Sequence, residues 1–445
     1  MKKNVLSRIL IACLALVMLF GMVGCAGTKP TEPKTDKETV TLTIWLQSML
    51  GSAEMLLEEN ERYINTAVAR FQEKYPHIKF EIVKTNGGGE SAAMWKAGAL
   101  AKAAPDIAEF WSGDTMTSLA EYAYPIYDLL SEETKKNLGS WDTVTVPGET
   151  KPMALPTPFG TLSGIYYNKE IVKKAGLDFE NNAPRTIEEF FAACDKIKAA
   201  GYTPIIADEA SVGYLQAYLC KFWYNQACSE TEIRDMMAGK TKFSENADFL
   251  KALETYQQLY SKGYVNQDTM SASDWEARWL SGTEAAMTPS ASHKAAAFSD
   301  GLGKDNVGFM KIPNLLPEAE CNNYDKMLGG AGQGLIVSKD TKHPEEVALF
   351  LDFLCSPAEW EIYFNMKTNS IPNVAGVDTS KLTDKIPVMT TLAALAVDKI
   401  GYCNYETPDV SEAMDRYIDD MLVGKMTPME VAKALDGVAA LAAGA

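Results

Sequence analysis

Residues 155–169 separate two blocks of sequence in which strand and helix patterns alternate. Pro156 and Pro158 restrict the backbone of this segment, and the β-branched and aromatic residues that follow favour a strand. We therefore interpret residues 158–160 as a hinge between two α/β lobes. Small-molecule ligands usually bind in clefts of this kind, so the segment predicts both an architecture and the place of a ligand site.

Length and charge narrow the class of protein. The chain has 445 residues, 47% of them hydrophobic and 10% aromatic, and it is too long for one ordinary core. Its formal net charge is −17. Removal of Lys2, Lys3 and Arg8 with a signal segment makes the mature chain about three units more negative. Such a chain is repelled by nucleic acids and by anionic membrane surfaces, so we expect neither as a partner.

The first residues have the features of an export signal. Their basic side chains precede an apolar run at residues 9–20, which is shorter than the roughly 20 residues that span a bilayer. Small residues then surround Cys25, and this stretch resembles the lipobox of bacterial lipoproteins, whose cysteine carries the lipid. We predict a signal peptide at residues 1–24, lipidation of Cys25, and a polar tether at residues 25–38.

This N-terminus implies a chain anchored on the extracytoplasmic face of the cell membrane. Met22 and Val23 differ from the residues usual in a lipobox. A secretory signal with a fortuitous cysteine is therefore the alternative.

Cysteine spacing indicates neither a disulfide framework nor a metal site. Beyond Cys13 and Cys25 the six cysteines form no CxxC pair and no Cys/His cluster. Cys194 and Cys355 fall on apolar faces of predicted helices, which favours buried thiols. The remaining cysteines are Cys220, Cys228, Cys321 and Cys403. We expect no metal and no cofactor.

The pattern before the hinge has βαβαβ order. Predicted strands at residues 41–45, 78–83 and 107–111 alternate with helices, which is typical of a parallel sheet with helices on its faces. After the hinge, capping-box spacing predicts helix starts at Thr186, Ser356 and Thr427.

Proline and glycine mark two further crossings between the lobes, at residues 288–292 and 329–334. We predict two α/β lobes, each a mostly parallel sheet flanked by helices. The N-lobe is assigned residues 39–157 and 289–331, and the C-lobe residues 158–288 and 332–445.

The order of these pieces resembles a known family. It runs from the lipobox through the strand at residues 41–45 to the segments 104–107, 166–177, 282–287 and 334–339. From Val40 onward the chain resembles the extracellular solute-binding proteins of ABC importers, in the carbohydrate-binding family that includes maltose-binding protein. The resemblance implies a type II periplasmic-binding-protein fold with three crossings, hinge closure over a sugar, and delivery to a membrane permease. We expect a monomer.

A sugar presents apolar C–H faces and rims of hydroxyl groups, so its site needs aromatic platforms beside polar side chains. Open parallel sheets bind ligands at the carboxyl ends of their strands, and several suitable residues follow predicted strands. The candidate ligand-binding residues are Trp45, Glu90, Trp111, Ser112, Asp114, Phe159, Tyr214, Ser290 and Gly330.

Structural roles are the alternatives for these candidates. Both tryptophans could pack in the core, and Asp114 could cap the following helix. Phe159 could pack the crossing, and turn geometry could explain Gly330. Trp275 and Trp279 share one helical face, which favours the core. Residues 289–293 depart from the family pattern, because many relatives have a Gly-aromatic pair there.

Two other functions stay open on the residues alone. The ligand could be a peptide or a polyamine, since a negative protein attracts cations. A hydrolase would be a different class, but the chain has three histidines and neither a GxSxG nor an HExxH motif. Only a two-carboxylate glycosidase escapes this test. We expect a binding protein that is not an enzyme.

Overall fold

The computed structural model of the chain describes residues 38–50, 52–86, 88–366, 370–378, 380, 386–396 and 407–444. From Val40 onward the chain forms one compact unit. The predicted signal peptide, Cys25, the tether up to residue 37 and Cys403 lie outside the described residues. Within the described part, none of the helices has the length and apolar character that a membrane span requires.

The described residues form two β-sheets. In chain order the strands are β1 (Val40–Leu46), β2 (Ile78–Lys84), β3 (Ile107–Trp111), β4 (Leu155–Pro156), β5 (Phe159–Asn168), β6 (Thr203–Ile205), β7 (Ala285–Ala291), β8 (Val307–Met310), β9 (Leu328–Gly330), β10 (Gln333–Val337) and β11 (Ile371–Pro372).

The first sheet has the strand order β2-β1-β3-β10-β4. β1 pairs in parallel with β2 and β3, whereas β10 runs antiparallel to β3 and β4. Leu42, Ile44 and Leu46 are buried on one face of β1, and the residues between them are more exposed, as the two-residue period of a strand requires. This sheet confirms the predicted order of the first three strands.

The second sheet has the order β11-β5-β7-β6, and β8 and β9 also pair with β5. β6 and β7 are parallel, but every pairing of β5 is antiparallel. The prediction of a mostly parallel sheet is therefore wrong here. β5 enters directly from the first sheet and runs against the strands that follow it, so most of the ladder is antiparallel. From here on, N-lobe denotes the elements around the first sheet and C-lobe those around the second.

Helices cover both sheets. The longer α-helices are Tyr63–Lys74, Gly89–Leu100, Ile187–Ala199, Glu230–Met237, Ala247–Ser261, Ala295–Leu302, Pro344–Leu354, Pro357–Met366, Val388–Leu395, Pro408–Leu422 and Pro428–Ala442. The shorter ones are Ser52–Met55, Asp114–Thr117, Glu132–Asn137, Lys169–Lys174, Phe179–Asn182, Glu209–Val212, Lys221–Ala227 and Trp275–Leu280, and Gln216–Cys220 forms a π-helical turn.

Two of the three predicted capping boxes form in full. The hydroxyl groups of Thr186 and Thr427 each accept a hydrogen bond from the backbone N–H of a glutamate three residues later. The carboxylate of that glutamate accepts a hydrogen bond from the backbone N–H of the threonine. At the third position Ser356 accepts from the Glu359 backbone N–H, but the Glu359 carboxylate pairs with Arg70 of the Tyr63–Lys74 helix instead. The buried carboxylate thus joins two helices of the N-lobe.

The first and last predicted crossings are confirmed by strand pairing. β4 lies in the first sheet and β5, two residues later, in the second. β9 lies in the second sheet and β10 in the first, so the chain crosses again between Gly330 and Gln333. The crossing predicted at residues 288–292 is wrong, because those residues belong to β7, which is buried between β5 and β6.

A third passage between the lobes had no clear signal in the sequence. The Pro344–Leu354 and Pro357–Met366 helices pack on Tyr63–Lys74 of the N-lobe, whereas Pro408–Leu422 and Pro428–Ala442 pack on Ala247–Ser261 of the C-lobe. The passage therefore lies between Met366 and Pro408.

Strand pairing also corrects the predicted division into lobes. β8 and β9, which we assigned to the N-lobe, belong to the second sheet, and β10, which we assigned to the C-lobe, belongs to the first. The reason is the crossing that we predicted at residues 288–292. The chain does not leave the second sheet at β7, so β8 and β9 also belong to that sheet.

Phe71 links the N-lobe helices on one side of the sheet. Its ring centroid lies 5.2 Å from that of Phe350 and 5.8 Å from that of Phe80, and its side chain is buried. The five described cysteines that the fold contains are free thiols, and all except Cys321 are buried.

We expect Phe71→Ala to lower the free energy of unfolding by about 3 to 5 kcal/mol, because the change empties a space in a close-packed aromatic cluster. Urea denaturation monitored by circular dichroism measures this loss. Leu56, which is 88% exposed, provides the control: Leu56→Ala should stay within about 0.5 kcal/mol of the original chain. Equal losses for the two variants would contradict the packing role of Phe71.

Candidate functional site

The carboxyl ends of β1 and β3 bring two of the candidate tryptophans to one edge of the first sheet. Trp45 lies beside Ala108 in the parallel register, and Trp111 follows three residues later on β3. Because successive side chains alternate between faces, Trp45 and Trp111 project from opposite faces of the sheet. The sequence alone did not reveal this difference.

The two tryptophans differ in exposure as well. Trp45 is partly buried and packs against the cluster that contains Trp95 and Phe110. Trp111 leaves 47% of its surface exposed, next to Gly113 and Asp114, which line a cavity between the lobes. Trp111 can therefore offer a ring face to a ligand, whereas Trp45 supports the sheet edge.

Ser112 and Gly330 lie at the crossing between β9 and β10. The Ser112 N–H donates to the Gly332 carbonyl at 3.0 Å, and its hydroxyl donates to the Ala331 carbonyl at 3.0 Å. Gly330 has a φ of 126°. A Cβ on Gly160 would lie only 2.7 Å from the Gly330 carbonyl oxygen, so the two backbones approach each other closely. Both Ser112 and Gly330 therefore have structural roles at the crossing.

Phe159 lies at the crossing between β4 and β5, and its side chain packs against the Pro357–Met366 helix of the N-lobe. Its ring lies parallel to that of Tyr363 at 6.4 Å between centroids and 5.6 Å from that of Trp360. Only 5% of its surface is exposed. The packing alternative describes this side chain better than ligand stacking.

Asp114 joins the two lobes. Its Oδ1 lies 3.4 Å from Nη1 of Arg234 in the Glu230–Met237 helix, and Arg234 Nε also donates to Glu230 Oε1 at 2.8 Å. The capping alternative does not apply, because Gly113 occupies the cap position and Asp114 is the first helical residue. A cavity of about 250 Å³ beside this ion pair is lined by residues of both lobes, including Asp142, Thr143 and Glu149.

Glu90 and Ser290 have surroundings unlike those expected. Glu90 is exposed in the first turn of the Gly89–Leu100 helix, where a carboxylate interacts favourably with the helix dipole. Ser290 is fully buried on β7 opposite Gly164, and among the described residues its hydroxyl has no hydrogen-bond partner.

Tyr214 belongs to an aromatic group at the edge of the second sheet. Its hydroxyl lies 3.1 Å from Nε2 of His293, and its ring centroid lies 5.2 Å from that of Tyr218 and 6.1 Å from that of Trp275. We call Tyr214, Tyr218, Trp275 and His293 the C-lobe aromatic group. His293 and Tyr218 were missed from sequence, although His293 ends the segment where relatives have an aromatic residue.

The C-lobe aromatic group carries little charge. Burial, with a smaller contribution from the neighbouring Lys294, lowers the pKa of His293 to about 4, so the imidazole is neutral near pH 7. Lys294 itself pairs with Glu276 at 2.6 Å. The group therefore offers ring faces and neutral hydrogen-bonding atoms. Trp275 and Trp279 are both buried, as predicted.

Two fully buried glutamates lie behind these surfaces and were also missed from sequence. Glu109 accepts hydrogen bonds from backbone N–H groups directly after β1, and Glu209 does the same at the start of the segment that carries Tyr214. In the part of the chain that the structure describes, no group of three or more His, Cys, Asp or Glu side chains is placed to share a metal ion.

Residues 57–359 match the family model described as bacterial extracellular solute-binding protein. The chain is 26% identical to the sn-glycerol-3-phosphate-binding periplasmic protein UgpB of Escherichia coli (strain K12), over 74% of this chain and 77% of that protein. It is 28% identical to the uncharacterized ABC transporter extracellular-binding protein PH1214 of Pyrococcus horikoshii. That match covers 46% of this chain and only 45% of the relative, less than half its length.

Solved structures share the fold. A chitin oligosaccharide binding protein superposes with a TM-score of 0.76 at 21% identity, over 92% of this chain and all of the other. Maltose-bound MalE3 of T. maritima gives a TM-score of 0.68 at 18% identity, over 91% of this chain and 100% of the other. These likenesses establish a two-lobed fold of the type II periplasmic binding proteins.

We expect Asp114 and Arg234 to show a coupling energy of about 0.5 to 1 kcal/mol at low ionic strength, because both groups are only partly exposed. A double-mutant cycle with Asp114→Asn and Arg234→Gln, read by urea denaturation, measures this energy. The coupling should fall in 1 M salt, where charges are screened within about 3 Å. A cycle on Arg234 and Glu230 is the control within one helix. No coupling between Asp114 and Arg234 at low salt would contradict an ion pair between the lobes.

Proposed function

The chain belongs to the family of bacterial extracellular solute-binding proteins, and on that premise we propose that it captures a neutral mono- or oligosaccharide between its lobes and passes it to an ABC permease. Members of this family are binding components of transporters and not enzymes, so a glycoside hydrolase is no longer an alternative. The ligand class and the site residues are the parts that we infer.

Trp111 is the observation that carries the proposal. Most large aromatic side chains of the fold are buried, yet Trp111 is 47% exposed at the carboxyl edge of the first sheet. A solvated indole face at that position suits the apolar C–H face of a sugar ring. Asp114, three residues later, lines the cavity between the lobes and adds a carboxylate that can accept from hydroxyl groups.

We infer that the C-lobe aromatic group contributes to the same site. Tyr214 and His293 are linked at 3.1 Å and keep neutral polar atoms beside ring faces. A ligand that touches Trp111 and Tyr214 at once favours the closed arrangement of the lobes, because it gains contacts that an open arrangement lacks. The Asp114–Arg234 pair bridges the two lobes and strengthens the same arrangement.

A phosphorylated polyol is the second candidate, since some relatives are named for binding sn-glycerol-3-phosphate. A phosphate needs cationic side chains or a row of backbone N–H groups. The cations nearest the candidate site are already paired: Arg234 with Asp114 and Glu230, and Lys294 with Glu276. This pairing favours a neutral saccharide, as in the chitin oligosaccharide and maltose proteins. The acidic lining of the cavity keeps a polyamine as an alternative to be tested.

The N-terminus supports export and attachment to the membrane. Family membership places the working protein outside the cytoplasm. The basic and apolar residues that precede Cys25 suit a lipoprotein signal, and the tether to residue 38 gives the folded part freedom to reach a permease. We infer that lipid on Cys25 anchors the chain to the membrane.

We expect thermal unfolding to shift upward with a neutral saccharide and not with sn-glycerol 3-phosphate, spermidine or a peptide. A ligand at 100 times its dissociation constant adds about 2.7 kcal/mol to the free energy of unfolding. Differential scanning fluorimetry of the chain from Thr28 onward, against maltose and N,N′-diacetylchitobiose among other sugars, provides the test. A shift with glycerol 3-phosphate or spermidine alone would overturn the neutral-saccharide assignment.

Trp111→Ala should weaken binding of the saccharide that gives this shift by at least tenfold, or about 1.4 kcal/mol, because the change removes the exposed platform. Leu100→Ala, another exposed apolar change on the nearby Gly89–Leu100 helix, should leave affinity unchanged. Isothermal titration calorimetry measures both. Equal affinities in the two variants would exclude Trp111 from the site.

We expect cells that express the full chain to incorporate labelled fatty acid into it, and Cys25→Ala to abolish the label and release the protein. Cys13→Ala, which changes a cysteine inside the predicted signal peptide, should retain the label. Membrane fractionation with a clickable palmitate analogue measures both effects. Label on the Cys25→Ala variant would contradict lipidation at this residue.

A further inference from the structure

Glu109 in the N-lobe and Glu209 in the C-lobe are both buried, and each binds backbone N–H groups through its side-chain carboxyl group. Glu109 serves the loop after β1 in the N-lobe, and Glu209 serves the segment after β6 in the C-lobe. Both loops lie beside candidate ligand residues. Burying a carboxylate costs free energy unless hydrogen bonds replace those lost with water. The same arrangement occurs in both lobes, which indicates that these bonds have a role in the fold.

Glu109 fixes the first loop. Its Oε2 accepts from the backbone N–H groups of Gln47 at 2.8 Å, Ser48 at 3.0 Å and Met49 at 3.4 Å. These residues directly follow β1, and Trp111 lies two residues beyond Glu109 on the same face of β3. Burial raises the pKa of Glu109, while the bonds from the three backbone groups oppose that rise.

Glu209 fixes the second loop. Its Oε2 accepts from the Leu215 N–H at 3.0 Å, and its Oε1 accepts from the Gln216 N–H at 2.8 Å and from the Tyr256 hydroxyl at 3.2 Å. The bonded N–H groups stand at the start of the helical segment that opens with Tyr214, where a helix leaves its N–H groups without partners. The carboxylate therefore caps this segment from inside the lobe.

The capped segment sets where Tyr214 points. Gly213, with a φ of 62°, turns the chain directly before Tyr214, and the next two residues are held by Glu209. Tyr214 in turn contacts His293 and Trp275. A shift of the segment would move the tyrosine hydroxyl away from the imidazole, and the C-lobe aromatic group would lose its arrangement.

We infer that Glu109 and Glu209 are positioning residues for the ligand site: each holds the backbone of one ligand-facing loop, and Glu209 thereby fixes the Tyr214–His293 pair. The inference about ligand affinity rests on the function proposed above. The positions of the two loops do not depend on that function, so loop geometry and ligand affinity can be tested separately.

The surroundings of Glu209 add a dependence on pH. Tyr256 of the Ala247–Ser261 helix and Asp419 of the Pro408–Leu422 helix interact directly with Glu209. Asp419 in turn interacts with four other charged groups, Asp415, Asp420, Lys221 and Lys425. Burial and then Asp419 raise the pKa of Glu209 to about 8. The folded state thus binds this proton more tightly than the unfolded chain does.

The sign of the pH effect follows from that difference. The stabilisation is complete below the ordinary pKa of 4.5 and is lost as pH rises through about 8. We expect the melting temperature of the original chain to fall relative to that of Glu209→Gln between pH 5 and 8, because glutamine stays neutral and resembles the protonated carboxyl group. Parallel curves for the two proteins would contradict a titrating Glu209.

NMR of the ligand-free protein tests the positioning role of Glu209. The chain has three histidines, so His293 can be followed separately, with His77 and His343 as internal references. We expect its titration midpoint near 4 in the original chain, and a rise of about one pH unit or more in Glu209→Ala, as the imidazole loses Tyr214 and becomes solvated. Glu209→Gln, whose single amide oxygen can still accept from one of the two N–H groups, should give a midpoint between those of the original chain and Glu209→Ala.

Gln226→Ala is the matched control for this experiment. Gln226 is also fully buried in the C-lobe, and its Oε1 accepts from the Leu315 N–H at 2.9 Å, but it contacts neither Tyr214 nor His293 in the recorded bonds. This variant should leave the His293 midpoint unchanged. An unchanged midpoint in folded Glu209→Ala would overturn the inference. If that variant does not fold, Glu209→Asp, whose shorter side chain cannot reach both N–H groups, takes its place.

Hydrogen exchange tests Glu109 in the same ligand-free state. Glu109→Ala should accelerate exchange at the Gln47, Ser48 and Met49 N–H groups by about tenfold or more, because their acceptor is removed. Asp106 at the other end of β3 is the control: its Oδ2 accepts from the Thr43 N–H at 2.8 Å, and Asp106→Ala should leave exchange after β1 unchanged. Equal exchange in Glu109→Ala and the original chain would overturn the role of Glu109.

Titrations with maltose and N,N′-diacetylchitobiose complete the test. For whichever sugar binds the original chain, Glu109→Ala and Glu209→Ala should weaken affinity about tenfold, Glu209→Gln by less than about threefold, and Asp106→Ala and Gln226→Ala not at all. Unaltered affinity in both alanine variants would overturn the inference. If neither sugar binds the original chain, the saccharide proposal is at fault, and the histidine titration and hydrogen exchange alone decide the positioning roles.

Discussion

The lobes are joined where two stretches of chain run side by side within contact distance. Thr161 at the start of β5 pairs with Gly330 at the end of β9, and the Thr157 N–H donates to the Gln333 carbonyl at 3.0 Å. Between them, a Cβ on Gly160 would meet the Gly330 carbonyl at 2.7 Å. These two of the three passages therefore lie together as one narrow ribbon. Every element of the site is attached to one end or the other of this ribbon.

Charged side chains near the ribbon fall into two groups, those that form ion pairs and those that are buried and bind the backbone. Cations near the site are paired with carboxylates, as in Arg234 with Asp114, and the one histidine of the C-lobe aromatic group is kept neutral by burial. Carboxylates that are fully buried, Glu109 and Glu209, bind backbone N–H groups. Pairing and burial thus set the local charge at each of these groups, which is why the net charge of −17 says little about the ligand.

Proline misled the sequence interpretation at β7. Pro289 lacks an N–H and argued for a crossing, but the pairing of β7 with β6 ends at Met287, so the missing donor costs nothing on that side. The first crossing was predicted because Pro156 and Pro158 coincide with a change in pattern on both sides. Among the candidate residues, position at or after the end of a predicted strand placed Trp111 and Asp114 at the sheet edge, and their role in binding stays a prediction. It could not separate Trp111 from Trp45, because that depends on register.

The sequence by itself determined the local features: the order of the first strands, the helix starts at Thr186 and Thr427, the α/β class, and the family through the order of its motifs. These follow from period, capping and propensity, which act over a few residues. The tertiary structure alone decided that β8 and β9 join the second sheet, that Asp114 meets Arg234, and that Glu109 and Glu209 cap loops. The side-chain contacts among these join residues from 6 to 120 positions apart, and burial chooses among many acidic residues that look alike in sequence. Which carboxylates lose their water is a property of the packed fold.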